Sequence, residues 1–529
     1  MAATEDISWA TQQYNLGVEY YNRHTDERAE NLEKAMVAFE NVLEKLTRNG
    51  FAEDWANAQE WLGNVYRNRI LGERAANLEA AIGCYKNALE VYTRGSFPEK
   101  WAMTQISLGI SYRHRILGER VDNLENSILA FKNALEIFTR ESFPEKWAMT
   151  QMHSGITYRS RIRGERADNL ENSILAFKNA LEIFTCESFP EKWAMTLNNL
   201  GVAYQYRIRG ERSNNLKQAI DAFNQALQIR TRELLPEQWA RTNRNLANVY
   251  CDSLYEGQLD KLDLAIEMYR KVSEVFTRST YPYYWANNQS YLAEALTKRA
   301  SLVTDQFQKN TDLGNAIQLL KAAIEISSPG GPDYIDSYYR LGNAFFSRYS
   351  LTKSSIELEK ALQAYKNALI VIDSEHYDWD KIWQALPTTQ AVLGSRLVRD
   401  GQWQDGLELL LNSVSQLRNS YNRLAHASAL YETAYAYEAM SDWDNARLYY
   451  RDALRIYDYL KEPSGKAKSL TGLGTTLGAQ GYLEKSMAIF QQARDLYEQL
   501  QQPEKVTEVN KLYDIAKRTL NDEDIEVFA

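Results

Sequence analysis

The chain of 529 residues holds only three cysteines, Cys84, Cys186 and Cys251, too few and too scattered for a disulfide framework or a thiolate metal site. Ten prolines and 25 glycines are sparse for this length, which argues against extended disorder and against a many-turned β fold. No apolar run approaches the roughly 20 residues that a membrane-spanning helix needs. The opening MAATEDISWATQQYN lacks the basic-then-apolar order of a secretion signal. The five histidines, His24, His114, His153, His376 and His426, are dispersed, and none pairs with a cysteine at a suggestive spacing. No glycine-rich phosphate loop follows a strand. These absences predict a cytoplasmic protein that is not an enzyme and carries no metal and no cofactor. A net charge of −9 disfavours wholesale attraction to nucleic acid but leaves room for a local basic stripe.

What the chain does have is repetition. The nonapeptide SFPEKWAMT stands at 96–104, 142–150 and 188–196. Its tryptophan belongs to a longer series, Trp9, Trp55, Trp101, Trp147, Trp193, Trp239 and Trp285, with a constant step of 46 residues. Small residues at Gly17, Gly63, Gly109, Gly155, Gly201, Ala247 and Ala293 keep the same step, and a tyrosine follows most of them by three. Several markers sharing one period define a repeat architecture.

Each unit reads as two helices. Trp101, Ile106, Leu108 and Tyr112 recur at helical spacing and predict a first helix from about Pro98 to Ile116. Ser96 followed by Glu99 has the form of a capping box, with Pro98 in the first turn. Asn123 is the expected N-cap of the second helix, which carries Ser127, Phe131 and Ala134 on one face. Small residues let the two helices approach while Trp55, Trp101, Trp147, Trp193, Trp239 and Trp285 fill the gaps as structural wedges. Residues 119–150 and 165–196 are nearly identical even at solvent-facing positions, which reads as recent duplication.

Near the C-terminus, Gly474, Gly481, Ser486, Phe490 and Ala493 show a small residue followed at +7, +12, +16 and +19. Ala434, Ser441, Ala446, Tyr450 and Ala453 repeat that pattern, as do Gly394, Gly401, Gly406, Leu410 and Ser413, in steps of 40 residues. This spacing resembles the tetratricopeptide repeat. The N-terminal units fit it with about six extra residues between their helices and six after the second. The resemblance implies an all-α, right-handed α–α superhelix of about eleven helical hairpins plus a C-terminal capping helix near 503–520. Three subarrays are expected: a regular one at 1–300, a transitional piece at 301–385 broken by LVTDQFQKNT and SSPGGPD, and 40-residue units at 386–529 ending in an acidic tail. The tail NDEDIEVFA reads as disordered or as a docking peptide. The style of the long units also resembles bacterial and cyanobacterial arrays that accompany caspase-like CHAT domains or nucleotide-binding switch ATPases.

The resemblance places a binding groove on the first helices. Carried onto this chain, it implies Met103, Ile106, Ile110, Arg113 and His114 in one unit, and Met149, Met152, Ile156 and Arg159 in the next. A third unit contributes Met195, Asn198 and Gln205. Methionine and isoleucine with arginine at the lip suit an amphipathic peptide, although packing against the neighbouring helix explains them equally well. The Lys/Asn pairs of a chaperone-tail clamp are missing. Arg69, Arg115, Arg161 and Arg207 form a second ladder, beside Arg74, Arg120, Arg166 and Arg212 with Glu73, Glu119, Glu165 and Glu211. Salt bridging between units is the plainer reading of these charges, and a basic rail for an acidic peptide the sharper one. The leading functional expectation is a protein-interaction scaffold or adaptor in signalling. Its expected partner is a protein or peptide of acidic or amphipathic character, with a caspase-like or switch-ATPase protein encoded nearby as the candidate that the resemblance suggests. The alternative is a peptide- or ligand-sensing regulator whose superhelix changes shape. An RNA-binding helical repeat is disfavoured by net acidity and by near-identical units.

Overall fold

The structure, a computed structural model, describes residues 2–24, 27–252, 258–370 and 379–521, and every regular element among them is an α-helix. By contact, the chain divides into two compact units, Met1–Glu256 and Gly257–Ala529. The first unit contains α1 (Ala2–Asn22), α2 (Arg28–Lys45), α3 (Ala52–Asn68), α4 (Arg74–Leu89), α5 (Pro98–His114), α6 (Arg120–Leu135), α7 (Pro144–Ser160), α8 (Arg166–Leu181), α9 (Pro190–Gln205), α10 (Arg212–Ile229) and α11 (Pro236–Asp252). The second contains α12 (Gln258–Ser273), α13 (Pro282–Leu302), α14 (Gln306–Ile324), α15 (Pro332–Thr352), α16 (Ser355–Ile370), α17 (Trp379–Arg399), α18 (Trp403–Leu417), α19 (Arg423–Ala439), α20 (Trp443–Leu460), α21 (Pro463–Ala479), α22 (Leu483–Gln499) and the closing α23 (Pro503–Leu520). The acidic tail beyond Asn521 and the connector at 371–378 lie outside the described residues.

Odd-numbered helices pair with the even-numbered helix that follows, from α1 with α2 to α9 with α10 and from α13 with α14 to α21 with α22. One contact recurs through many of the hairpins. A Cβ on Gly63, Gly109, Gly155 or Gly201 would lie 2.7–2.8 Å from the ring of Tyr85, Phe131, Phe177 or Phe223. Those rings are fully buried. Gly474 meets Phe490 in the same way, so the long and short units share one joint. Glycine is required here because the helix backbone rests directly on the aromatic face.

The helix starts differ from the sequence expectation. Phe97, not Ser96, is the N-cap of α5, and no side chain caps it. Phe97 packs edge-on against Tyr92 at 5.6 Å, as do Phe143 against Phe138 and Phe189 against Phe184. The turn is fixed instead by Thr93, whose Oγ1 accepts from the Ser96 N–H at 3.1 Å, and Thr139 and Thr185 do the same one and two units later. Asn123 is not an N-cap either. Helix α6 begins three residues earlier, after Gly118 turns the chain with φ +76. Buried Asn123 donates instead to the Leu117 carbonyl at 2.9 Å and satisfies the loop from inside. Within the segment 302–311, α13 runs to Leu302 and α14 starts at Gln306 with Asp305 as its N-cap.

In both units, successive first helices touch (α3 with α5, α5 with α7, α13 with α15, α17 with α19), and among the described residues no comparable contact links successive second helices. Each unit therefore curves with its first helices on the inner face. No helix among the described residues is long and apolar enough to cross a membrane.

Candidate functional site

The inner face of the first unit is built from the last turns of α3, α5, α7 and α9. Arg67, Arg113 and Arg159 occupy equivalent positions there, 46 residues apart, and Gln205 takes the fourth. Seven residues after each, across the turn, stand Arg74, Arg120, Arg166 and Arg212 at the starts of α4, α6, α8 and α10. Each leans back and donates from Nη1 to the carbonyl of Arg67, Arg113, Arg159 or Gln205, closing a helix C-terminus that would otherwise lack a donor. The sequence therefore folds two guanidiniums together at each step. Gln205 and Arg212 end the series, because both reach Asp252, at 2.9 and 3.5 Å.

None of Arg67, Arg74, Arg113, Arg120, Arg159 and Arg166 has a carboxylate within ion-pair distance among the described residues. Arg113 reaches only the His153 carbonyl at 3.4 Å and the His114 Nε2 at 3.3 Å, and Arg159 only Asn199, at 3.4 Å. Burial, then repulsion from Arg159, Arg120 and Arg67, pushes Arg113 down to about 10. Burial does the same to Arg159. His114 is held at about 4, first by its enclosure and then by Arg113, Arg74, Arg120 and Arg67. His153, stacked 6.1 Å from Phe131, is held at about 3 by burial and by Arg113. Both imidazoles are thus neutral near pH 7. At the α3 end, Glu60 is pushed up to about 7 by burial against the opposing pull of Lys100 and Arg67.

The other groove candidates separate into two groups. Ile106 and Met152 are buried between hairpins, each 2% exposed, and offer no surface to a ligand. Met103, Ile110 and Met149 are partly buried against the same core as Ile106. Ile156 and Met195 are partly exposed, Asn198 accepts from Asn245 at 3.2 Å, and Gln205 is buried on Asp252. Of the groove set, Arg113 and Arg159 form the charged centre, with neutral His114 beside Arg113. Arg67, their equivalent one unit earlier, was missed, although the 46-residue step pointed to it.

Arg69, Arg115, Arg161 and Arg207 lie elsewhere. Each makes a two-pronged pair with Glu33, Glu79, Glu125 or Glu171 of the preceding second helix, with N···O distances of 2.7–2.9 Å. The acceptors are the glutamates of the Asn-Leu-Glu landmarks, not those adjacent to Arg74 and its equivalents. A second ladder joins Lys100 to Glu53, Lys146 to Glu99 and Lys192 to Glu145. A third joins Arg94 to Glu136 and Arg140 to Glu182, and lapses at Cys186, which replaces the next arginine. Trp55, Trp101, Trp147, Trp193, Trp239 and Trp285 are half-buried in the first turns of the first helices, with Arg232 over Trp239 and Arg278 over Trp285.

The inner face of the second unit contrasts with that of the first. Arg340 bonds Glu294 at 2.9 Å and Ser290 at 2.8 Å and covers the Tyr291 ring at 4.4 Å. Burial alone would raise Glu294, but Arg340 and Lys298 outweigh it and bring it to about 2. The charges there neutralise one another. Among the described residues, no group of three or more His, Cys, Asp or Glu side chains could hold a metal ion.

No protein-family model matches the sequence, and no curated protein does. Solved structures do match. A signal transduction ATPase with numerous domains (STAND) and a tetratricopeptide repeat sensor, from Pyrococcus horikoshii, is 11% identical over 94% of this chain and 74% of its own, with a TM-score of 0.41. The apo quorum sensor NprR from B. thuringiensis is 14% identical over 76% of this chain and 96% of its own, with a TM-score of 0.43. The human IFIT1 dimer with m7Gppp-AAAA is 14% identical over 94% and 93%, with a TM-score of 0.41. The hairpins themselves, most of those with a glycine at the joint closed on a buried aromatic ring and all stacked in order within each unit, give this chain a tetratricopeptide-like helical-repeat fold.

Proposed function

We propose that the chain is a non-catalytic scaffold whose first unit binds an acidic segment of a protein partner along its inner face. One observation carries this reading: six guanidiniums are gathered on that face with no carboxylate within ion-pair distance among the described residues, whereas the arginines of the other ladders are each paired with a glutamate. Holding like charges together in a partly dehydrated groove is unfavourable, and among the described residues only Glu60, near Arg67, offsets them. A partner with spaced carboxylates supplies it. Partly exposed Met195, Ile110 and Ile156 border the charges and suit apolar residues between the acidic ones. Neighbouring first helices lie about 8–10 Å apart, and an extended peptide advances about 3.3 Å per residue. Acidic residues at every third position would therefore meet successive arginine pairs.

Short synthetic peptides of graded charge, titrated against the full chain at rising ionic strength, test this reading. Acidic peptides are expected to bind and to weaken steeply with salt. The Arg67→Gln/Arg113→Gln/Arg159→Gln variant should lose them while keeping its helical circular dichroism. Binding that ignores peptide charge, or survives that variant, overturns the proposal.

A further inference from the structure

We infer that the end of the inner face formed by Arg113, Arg120, Arg159 and Arg166 is a site for a phosphomonoester dianion, carried on a phosphorylated side chain of the partner segment. The inference rests on the scaffold reading above and narrows its ligand. Glu60 offsets Arg67 at the α3 end of the face and Asp252 is taken up by Gln205 and Arg212 beyond it, but among the described residues no carboxylate pairs with Arg113, Arg120, Arg159 or Arg166, where two units bring two arginine pairs together. Arg113 is buried, and its two hydrogen bonds, at 3.3 and 3.4 Å, are long. Arg120 and Arg166 use one nitrogen each on a helix-end carbonyl, which leaves the rest of each fork free.

A carboxylate has one negative charge and two oxygens, enough for one guanidinium fork. Four guanidiniums from adjacent units call for a compact group with more charge and more acceptors, and a phosphomonoester presents nearly two charges and three terminal oxygens. The lowered pKa values of Arg113 and Arg159 agree with this, since a dianion placed between them relieves both burial and mutual repulsion. Arginine rather than lysine suits the task, because the planar fork fixes direction as well as charge. Nucleic acid fits less well. Its phosphodiesters carry one charge each, and single strands bind through several stacking aromatics, whereas the exposed aromatic bordering this cluster is Tyr206.

The test uses the full chain and four fluorescent probes: an acidic peptide with one phosphoserine, the same peptide with glutamate or with serine at that position, and a single-stranded RNA oligonucleotide. The phosphopeptide is expected to bind about tenfold more tightly than its glutamate counterpart, and inorganic phosphate should displace it. Arg113→Lys/Arg159→Lys should erase most of that preference while the glutamate peptide still binds. Arg94→Gln, in an outer ladder, should change neither. Equal affinity for the phosphoserine and glutamate peptides overturns the inference and leaves the scaffold reading intact. Failure of phosphate to compete, or tighter binding of RNA, also overturns it. If no acidic peptide binds at all, the scaffold reading itself fails.

Discussion

A Cβ added to Gly109 would lie 2.8 Å from Cε1 of Phe131, and that ring also stacks with His153 at 6.1 Å. Helix propensity favours alanine over glycine by about 1 kcal/mol, but the ring has no exposed direction in which to retreat. Gly109→Ala is therefore expected to lower the unfolding free energy by about 1–3 kcal/mol. Gly83, inside α4, would place its Cβ in open space, so Gly83→Ala should raise it by up to about 1 kcal/mol. Urea titrations of the two variants should give midpoint shifts of opposite sign; shifts of the same sign would contradict the joint described for the hairpins. Glu60 provides a second test at this scale. Its folded-state pKa is raised to about 7, above an unfolded value of about 4.3, so the folded protein favours the protonated form. Ionisation thus destabilises the fold, with a penalty that grows between those values and is complete above pH 7. Glu60→Gln should stabilise the protein by roughly 1–3 kcal/mol at pH 8 and hardly at all at pH 4. Thermal melts at the two pH values would show the difference.

Between elements, the ladder of Arg69, Arg115, Arg161 and Arg207 ties the end of each first helix to the preceding second helix. Glu79, Glu125 and Glu171 are lowered, chiefly by the hydrogen bonds from their arginines. Depressed carboxylate values mean that this contribution is present above the unfolded pKa of about 4.3 and is lost as pH falls through the folded values. A double-mutant cycle on Arg115→Gln and Glu79→Gln should give a coupling of about 0.5–1 kcal/mol at pH 7, fading as the pH falls through the lowered value of the folded carboxylate. A coupling that persists in acid would show that the ion pair is not its source. Helices, hairpins and their step were legible in the sequence, because tryptophan, glycine and aromatic residues recur where packing permits little else. Element starts were less legible. Ser96 and Asn123 have the chemistry of caps, but Phe97 and Gly118 decide where the chain enters each helix, through ring packing and a left-handed turn that residue type alone does not reveal. The site was half legible for a related reason. The repeat showed two arginine ladders, yet only the fold shows that Arg115 faces a glutamate 36 residues earlier while Arg113, two residues away, faces other arginines.

At the scale of the molecule, a repeat array is stabilised by each unit and by its contacts with the next, so equivalent units are interchangeable. The near-identity of 119–150 and 165–196 makes this testable by deletion. Removing residues 120–165 joins Glu119 to Arg166 and recreates the same turn and the same second helix. Gly109 would then meet Phe177 in place of Phe131, as Gly155 does now. The ladders also close. Arg161 and Glu125 leave together, Lys192 falls to Glu99 in place of Glu145, and Arg94 to Glu182 in place of Glu136. The shortened chain is expected to keep its circular dichroism per residue and to unfold cooperatively, within a few degrees of the parent, since a repeat unit adds only a modest increment of stability. Its inner face, however, would keep Arg67 with Arg74 and Arg113 with Arg166 while losing Arg120 and Arg159. Affinity for acidic peptides, and its dependence on salt, should therefore drop although the fold survives. A shortened chain that aggregates would show that each unit has a place of its own and that the step of 46 residues is not a structural unit; one that folds and binds acidic peptides as the parent does would separate the arginine cluster from recognition.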